Sequence, residues 1–391
     1  MRKKDINERA LDDGKRNKTV KNGSGKKMKI LVVSPSLDVK SGVASHIMNY
    51  YRELRDTFDI DVAIYSGVKN EYAAEILKSG GKIFYFKKSF LVNWRSLKGF
   101  FKNHAEEYDV IHCHTFNYGM PYLLFAKRYG ISKRIIHIHS VKYSDNVLKS
   151  VLNHFFIRLC LRLANVYVSC SEQAGKKAFG KRPFTVINNG IEVLRFSVEN
   201  NVRKKYREKL GVKDGDLLLG NVGKLSKTKN QIFAIKVFME MRKKPELENS
   251  KFIIIGSGPQ KTKLFNYVKK NNLEKDVIIL SDIHNISDYY AAMDCFIFPS
   301  LCEGLGIALL EAQASGLPCF CTNGLPKEVF ATSLVCGLDL KSGEKKWSER
   351  ILRTDLTRRN VKEQLMKAGL DISQNGKKMQ KFYRSLGGGE K

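Results

Sequence analysis

Apolar residues along this chain fall into short continuous blocks, and between the blocks they recur every three or four positions. The first block, Lys29-Ile30-Leu31-Val32-Val33-Ser34, reads as a strand buried on both faces. A turn at Pro35, the loop Lys40-Ser41-Gly42-Val43 and a helix from Ala44 to about Leu54 follow it. Further strands are expected over Ile60–Tyr65, Ile83–Phe86, Val110–His114, Arg134–His139, Val166–Ser169 and Thr185–Ile187. Helical spacing fills the gaps at roughly 94–106, 118–129, 147–164 and 172–179. Val193–Leu210 is polar and charged and reads as a connection between domains. The alternation then restarts with strands at Leu217–Val222, Phe252–Ile255, Val277–Leu280, Cys295–Phe298 and Cys319–Thr322, and a helix ending near Met241. This rhythm predicts an α/β chain of parallel sheets covered by helices, and 391 residues suit two domains with a core each. Both halves open as strand, glycine turn and helix, which is a Rossmann-like beginning.

The most informative stretch is Pro299-Ser300-Leu301-Cys302-Glu303-Gly304-Leu305-Gly306-Ile307-Ala308-Leu309-Leu310-Glu311, running on to Gly316-Leu317-Pro318. Ile307, Leu310 and Ala314 recur at helical spacing until Gly316 and Pro318 end the helix. Gly304 and Gly306 allow a tight turn with outward-facing amides, and a helix start behind such amides attracts phosphate. Glu311 stands two turns up the helix from Gly304, at a reach of ~10 Å that suits ribose hydroxyls. Glu303, in the turn itself, would meet whatever is attached beyond the diphosphate. Taken singly, a capping Glu303 and a solvated Glu311 are the plainer readings; the pair at this spacing, with its flanking glycines, is far more specific.

That pattern resembles the glutamate-pair motif of glycosyltransferase family 4, the retaining nucleotide-sugar enzymes of GT-B type, with two Rossmann-like domains facing each other across a cleft. The resemblance extends over residues 28–386 and is most similar to bacterial exopolysaccharide or capsule transferases. It implies a basic, disordered tail at 1–27, an acceptor-side domain at 28–192, a nucleotide-sugar domain with its linker at 193–372, and a helix at 373–391 that crosses back to the first domain. Site residues follow position by position. Lys229, and Lys224 where the family has arginine, would neutralise the donor diphosphate; the exchange at 224 keeps the charge and forfeits a two-pronged grip. Glu303 would orient sugar hydroxyls, and His139 would contact the sugar from the opposite domain. Gly304, Leu305, Gly306 and Ile307 would line the diphosphate, Glu311 the ribose, Ile283 the base through its backbone. Gly42, the second of two glycines common in the family, would approach donor and acceptor, with Ser41 in place of the first. The resemblance implies a UDP-sugar donor, a lipid-linked or oligosaccharide acceptor, no required cofactor, no metal and no nucleic acid.

Charge adds a second theme. The formal net charge is +30, with 10 basic against 4 acidic side chains in residues 1–27 but a near balance of 20 against 15 in residues 201–340. An excess of this kind attracts polyanions, either an anionic lipid leaflet or nucleic acid, and a basic nucleic-acid-binding protein without catalysis is the alternative reading. Phe90–Lys102 mixes aromatics with spaced cations and fits either a membrane-facing surface or a helix packed on the sheet, and the basic excess of this half favours the membrane-facing surface; residues 146–165, with Phe155 and Phe156, read as core. No apolar run is long enough to span a bilayer, and a cytoplasmic chain, peripheral on the inner face of the cell membrane, is expected. The eight cysteines form no CxxC pair and suit buried, reduced thiols. Asp59-Ile60-Asp61 has the acid-x-acid form of some metal sites but opens a strand. The pairs His112/His114 and His137/His139 share strand faces as zinc ligands would, yet no acidic cluster nearby offers support, and no metal ligand set is assigned.

Overall fold

The computed structural model describes residues 27–38, 41–65, 71–86, 90–116, 118–140, 147–283 and 285–387, with the side chains of 71, 90–93 and 147–152 excepted. The expected basic tail at 1–27 lies outside these residues except for Lys27. The first sheet has seven parallel strands: β1 (Lys29–Ser34), β2 (Asp59–Ile64), β3 (Ile83–Tyr85), β4 (Val110–Cys113), β5 (Lys133–Ile138), β6 (Val166–Ser169) and β7 (Thr185–Val186). Their order is β3-β2-β1-β4-β5-β6-β7. The second sheet has six: β8 (Leu218–Val222), β9 (Lys251–Ile255), β10 (Val277–Leu280), β11 (Cys295–Phe298), β12 (Cys319–Thr322) and β13 (Val335–Leu338), in the order β10-β9-β8-β11-β12-β13. Both orders reverse beside the first strand of their sheet, between β1 and β4 and between β8 and β11. The crevice beyond the strand ends at such a reversal is where open α/β sheets bind ligands.

The central strands are buried along most of their length, β4, β11 and β12 at every residue. This is why they read as continuous apolar blocks. Side-chain oxygens cap several helices: Ser171 Oγ accepts from Ala174 N at 3.3 Å at the start of Glu172–Phe179, and Asp371 Oδ1 accepts from Ser373 N at 3.0 Å before Ile372–Leu386. This last helix returns to the first sheet. Its Tyr383 meets Phe58 at 5.4 Å between ring centroids, Gln380 Nε2 donates to Glu53 O, and Gly376 lets it lie against Glu53, whose Cβ a side chain at 376 would meet at 2.7 Å.

Sequence readings change in places, and the reading of Asp61 gains detail. Val193–Leu210 is more than a connection: Asn200–Lys209 is a helix, and its Arg203 and Arg207 reach Asp294 at 2.5 and 3.0 Å. It is anchored by guanidiniums on a carboxylate and on the carbonyls of 291–293, so it carries no apolar stripe to read. In Val147–Leu163 the buried line is Asn153, Ile157, Cys160 and Leu161, and Phe155 faces away with 58% of its surface exposed. Asp61 is structural: it is buried, accepts from Tyr108 Oη and Lys82 N at 2.8 Å each, and lies 3.5 Å from Lys29 Nζ. In Phe90–His104 the side chains from Trp94 onward follow the core reading. Leu97 and Phe101 are fully buried, Trp94 meets Phe125 at 4.9 Å, and Arg95, Lys98 and Lys102 point outward. All eight cysteines are free thiols, six of them buried.

Candidate active site between the domains

Two loops leave the reversal point of the second sheet. One follows β8 through Gly223 to Asn230, the other follows β11 from Pro299 to Gly306, and Leu301 N donates to Thr228 O at 2.8 Å to join them. The loop after β9 closes in as well: a side chain at Gly256 would stand 1.9 Å from Gly223 O. The joined loops bring Lys229 Nζ to 2.5 Å from Glu303 Oε1, with the side chains 20% and 9% exposed. The same ammonium lies 4.7 Å from the centroid of the Phe298 ring. Glu303 is therefore an ion-pair partner and not a helix cap. The capping position belongs to Gly306, whose φ of +93° is open to glycine and strained for other residues. Behind it runs Ile307–Ala314, with Leu305 buried and Ile307 half-buried, and the first amides of such a helix have no partner within it. An anion at this point would meet those amides and Lys229 together. Lys224 is exposed on the same loop, makes no ion pair among the described residues, and lends its carbonyl to Gln231 Nε2 at 3.0 Å.

Glu311 is half-buried on the helix and accepts from Tyr290 Oη at 3.0 Å. Burial pushes its carboxyl up to about 7, while the Tyr290 hydrogen bond and the charge of Arg195 pull the other way. Ile283, beyond the end of β10 and after Asp282 at a φ of +62°, is half-buried against the core.

The first domain supplies the facing wall. Ser171 Oγ donates to Gly304 O at 2.6 Å, and Glu172 N donates to Glu328 Oε1 at 2.8 Å. A side chain at Gly304 would stand 1.9 Å from His139 O. The sequence ascribed Gly304 to the turn and to bare amides; its φ is not positive, and the space it leaves is filled by the other domain's backbone. His139, just past β5, is half-buried. Its Nε2 lies 2.8 Å from His114 Nδ1, and burial lowers its pKa to about 4, against an opposing contact with Asn189. His46, His112, His114 and His137 surround it, and burial likewise holds all four below the usual imidazole range. Gly42 is the first residue of Gly42–Leu54, exposed, and a side chain there would meet nothing within 4 Å. Packing does not demand a glycine at that position.

Lys229, Glu303, Gly304 and His139 are thus brought together; Glu311 and Ile283 stand on the same sheet edge, and Lys224 and Gly42 are at exposed rims. Sequence reasoning missed Ser171, Tyr290, Glu328 and His46. Ser171 was visible only as a helix cap, and His46, inside a helix, had no neighbour in spacing to mark it.

The two halves match two family profiles: Glycosyltransferase Family 4 over residues 40–195 and Glycosyl transferases group 1 over residues 202–369. EpsF of Bacillus subtilis (strain 168), named as a glycosyltransferase, is 28% identical over 354 residues, 86% of this chain and 91% of the relative. An Escherichia coli UDP-Gal:alpha-D-GlcNAc-diphosphoundecaprenol alpha-1,3-galactosyltransferase is 28% identical over 226 residues, 56% of this chain and 58% of the relative. Among solved structures, Anabaena HepE in complex with UDP and glucose superposes with a TM-score of 0.74 at 18% identity, over 92% of this chain and all of that one. With two Rossmann-like domains of GT-B type and a profile match on each, the chain belongs to the group 1 (family 4) glycosyltransferases and is related to those of bacterial capsule and exopolysaccharide synthesis.

Proposed function

We propose that the chain transfers a sugar from a UDP-sugar to a hydroxyl of a lipid-linked or oligosaccharide acceptor, with retention of configuration and without a metal. The observation that carries this reading is the Lys229–Glu303 pair at the sheet reversal, next to a helix start and directly under the His139 end of the facing domain. The donor diphosphate takes the place of Glu303 as partner of Lys229. Freed, Glu303 turns its oxygens to the hydroxyls of the attached sugar. As the bond from the anomeric carbon to the diphosphate breaks, negative charge grows on the leaving oxygen, where Lys229, the amides after Glu303 and the nearby Lys224 stabilise it without rearranging. The acceptor hydroxyl attacks from the leaving group's own face, and its proton passes to the departing phosphate. His139, a neutral imidazole, hydrogen-bonds the sugar and carries no charge that would oppose oxocarbenium character. Ser171 and Glu328 hold the domains closed around the reacting atoms, which excludes water. Glu311 with Tyr290 receives the ribose, and Ile283 the base. UDP in HepE structures and the diphosphoundecaprenol named for the E. coli relative support the donor and acceptor classes. A lipid-linked acceptor would be met by peripheral contact at the cytoplasmic membrane surface; among the described residues no helix is long and apolar enough to cross a membrane.

The test is thermal unfolding with UDP, GDP and ADP in the presence of EDTA, followed by NMR of the anomeric proton of the product. UDP should raise the midpoint in the wild type and not in Lys229→Ala, and the product should keep the donor's configuration. No shift with any of the three, or an inverted product, would overturn the reading.

A further inference from the structure

The histidines behind the cleft are more numerous than the transfer reaction uses. His46 from the helix Gly42–Leu54, His114 after β4, and His137 and His139 on β5 and just past it offer ring nitrogens that all lie within 4.8 Å of one another. Their six ring-centroid separations run from 4.1 to 5.7 Å. Four imidazoles on a tetrahedral ion, with metal–nitrogen bonds of about 2.05 Å, stand about 5 Å apart between centroids and about 3.4 Å between nitrogens. The cage is thus of the right size before any ion enters.

Its hydrogen bonding is also incomplete. Both nitrogens of His46 and Nε2 of His137 are buried without a partner, where nearly all buried polar atoms have one. Nδ1 of His137, by contrast, is held by His112 Nε2 at 3.1 Å, and His112 Nδ1 by Tyr383 Oη at 2.5 Å. A chain of this form, in which an outer group fixes one ring nitrogen and leaves the other free, is how proteins orient imidazole ligands. A cavity of about 20 Å³ lined by His46, His112, His114, Tyr50 and Tyr383 adjoins the cluster.

We propose that His46, His114, His137 and His139 form a binding site for a divalent transition-metal ion of the zinc class. The set contains only imidazole nitrogen, which suits zinc, copper or nickel and not magnesium or calcium. The rings of His114, His137 and His139 now lie 18–34° from parallel, so their lone pairs converge only after rotation about the ring bond. That rotation gives up the contact of His114 Nδ1 with His139 Nε2 at 2.8 Å and that of His139 with Asn189, and supplies partners to nitrogens that have none. The ion enters past His139, the half-exposed member of the four. Occupancy takes His139 away from the cleft, so the ion acts as an inhibitor of transfer. That consequence rests on the proposed function; binding does not.

Untagged full chain, stripped with EDTA and dialysed free of it, is titrated with ZnCl2 by calorimetry and with CoCl2 by visible absorption. One ion per chain and the intense visible bands of tetrahedral cobalt are expected. His46→Asn and His137→Asn should each weaken zinc binding at least tenfold and abolish those bands, with wild-type far-UV circular dichroism and a cooperative thermal transition kept as the sign of a folded protein. His46→Gln serves where the asparagine variant does not fold. Only the pale spectrum of six-coordinate cobalt in the wild type, or zinc binding unchanged in the folded variants, overturns the site.

Discussion

Replacing Gly304 by alanine tests the closed arrangement of the two domains at one atom. The added Cβ would stand 1.9 Å from His139 O and 2.7 Å from its carbonyl carbon, both backbone atoms of the residue just past β5. A comfortable carbon–oxygen approach is about 3.3 Å, so the turn and the strand end must part by ~1.4 Å. The separation also strains the bond from Ser171 Oγ to Gly304 O, worth about 1 kcal/mol. Neither sheet has to change, because the clash lies between the domains. Thermal unfolding should therefore fall by no more than the equivalent of ~2 kcal/mol. Transfer should suffer far more, since a misplacement of about 1 Å at reacting groups costs on the order of a hundredfold. Small-angle scattering with UDP bound would report the wider separation, and UDP release from the matching UDP-sugar would report kcat. Wild-type kcat with unchanged scattering would show that the two backbones do not meet, and the account of Gly304 would fail. Global unfolding of Gly304→Ala would refute it differently, by placing the clash inside a domain.

Other perturbations reach the same site from other sides. Lys229→Ala leaves the Glu303 carboxylate nearly buried and unpaired, so the double variant Lys229→Ala/Glu303→Gln should be more stable to urea than the single one; equal stability would mean the pair is solvated. Glu311, with a folded pKa raised to about 7, keeps its proton where the unfolded chain has lost it. Stability should thus be fully present below about pH 4.5 and decline as pH rises toward 7, by at most ~3 kcal/mol, and Glu311→Gln should flatten that decline in a midpoint-against-pH series. Asp294→Ala removes the carboxylate shared by Arg203 and Arg207 and should lower urea stability by about 3–5 kcal/mol; a loss under 1 kcal/mol would show that the helix Asn200–Lys209 is held by something else.

What could be read from the chain was local. Parallel strands buried on both sides write themselves as apolar blocks, so Leu218–Val222 or Cys295–Phe298 is legible within a residue at either end. The strand Val335–Leu338 went unread, because an edge strand with a glycine at 337 and half-exposed side chains makes no such block. A helix with an apolar stripe such as Gly42–Leu54 was legible, whereas Lys261–Lys270 and Gly343–Leu352 went unread, as did Asn200–Lys209, held by arginines. Lys229 and Glu303 were legible as candidates through their motifs, but their contact spans 74 residues and only the fold supplies it. Gly304 shows the limit most clearly. Within its own stretch a glycine beside a glutamate and ahead of a helix means a tight turn, and spacing supports that meaning completely. The atoms that exclude a side chain there belong to His139, and the hydroxyl bonded to its carbonyl belongs to Ser171, 133 residues away. Contacts across a domain boundary impose no period on either segment, so a residue chosen for such a contact is indistinguishable in sequence from one chosen for its own turn. A cleft assembled from two domains is therefore the part of a fold where motif reading can draw the eye to a residue such as Gly304 and assign it the wrong physical cause.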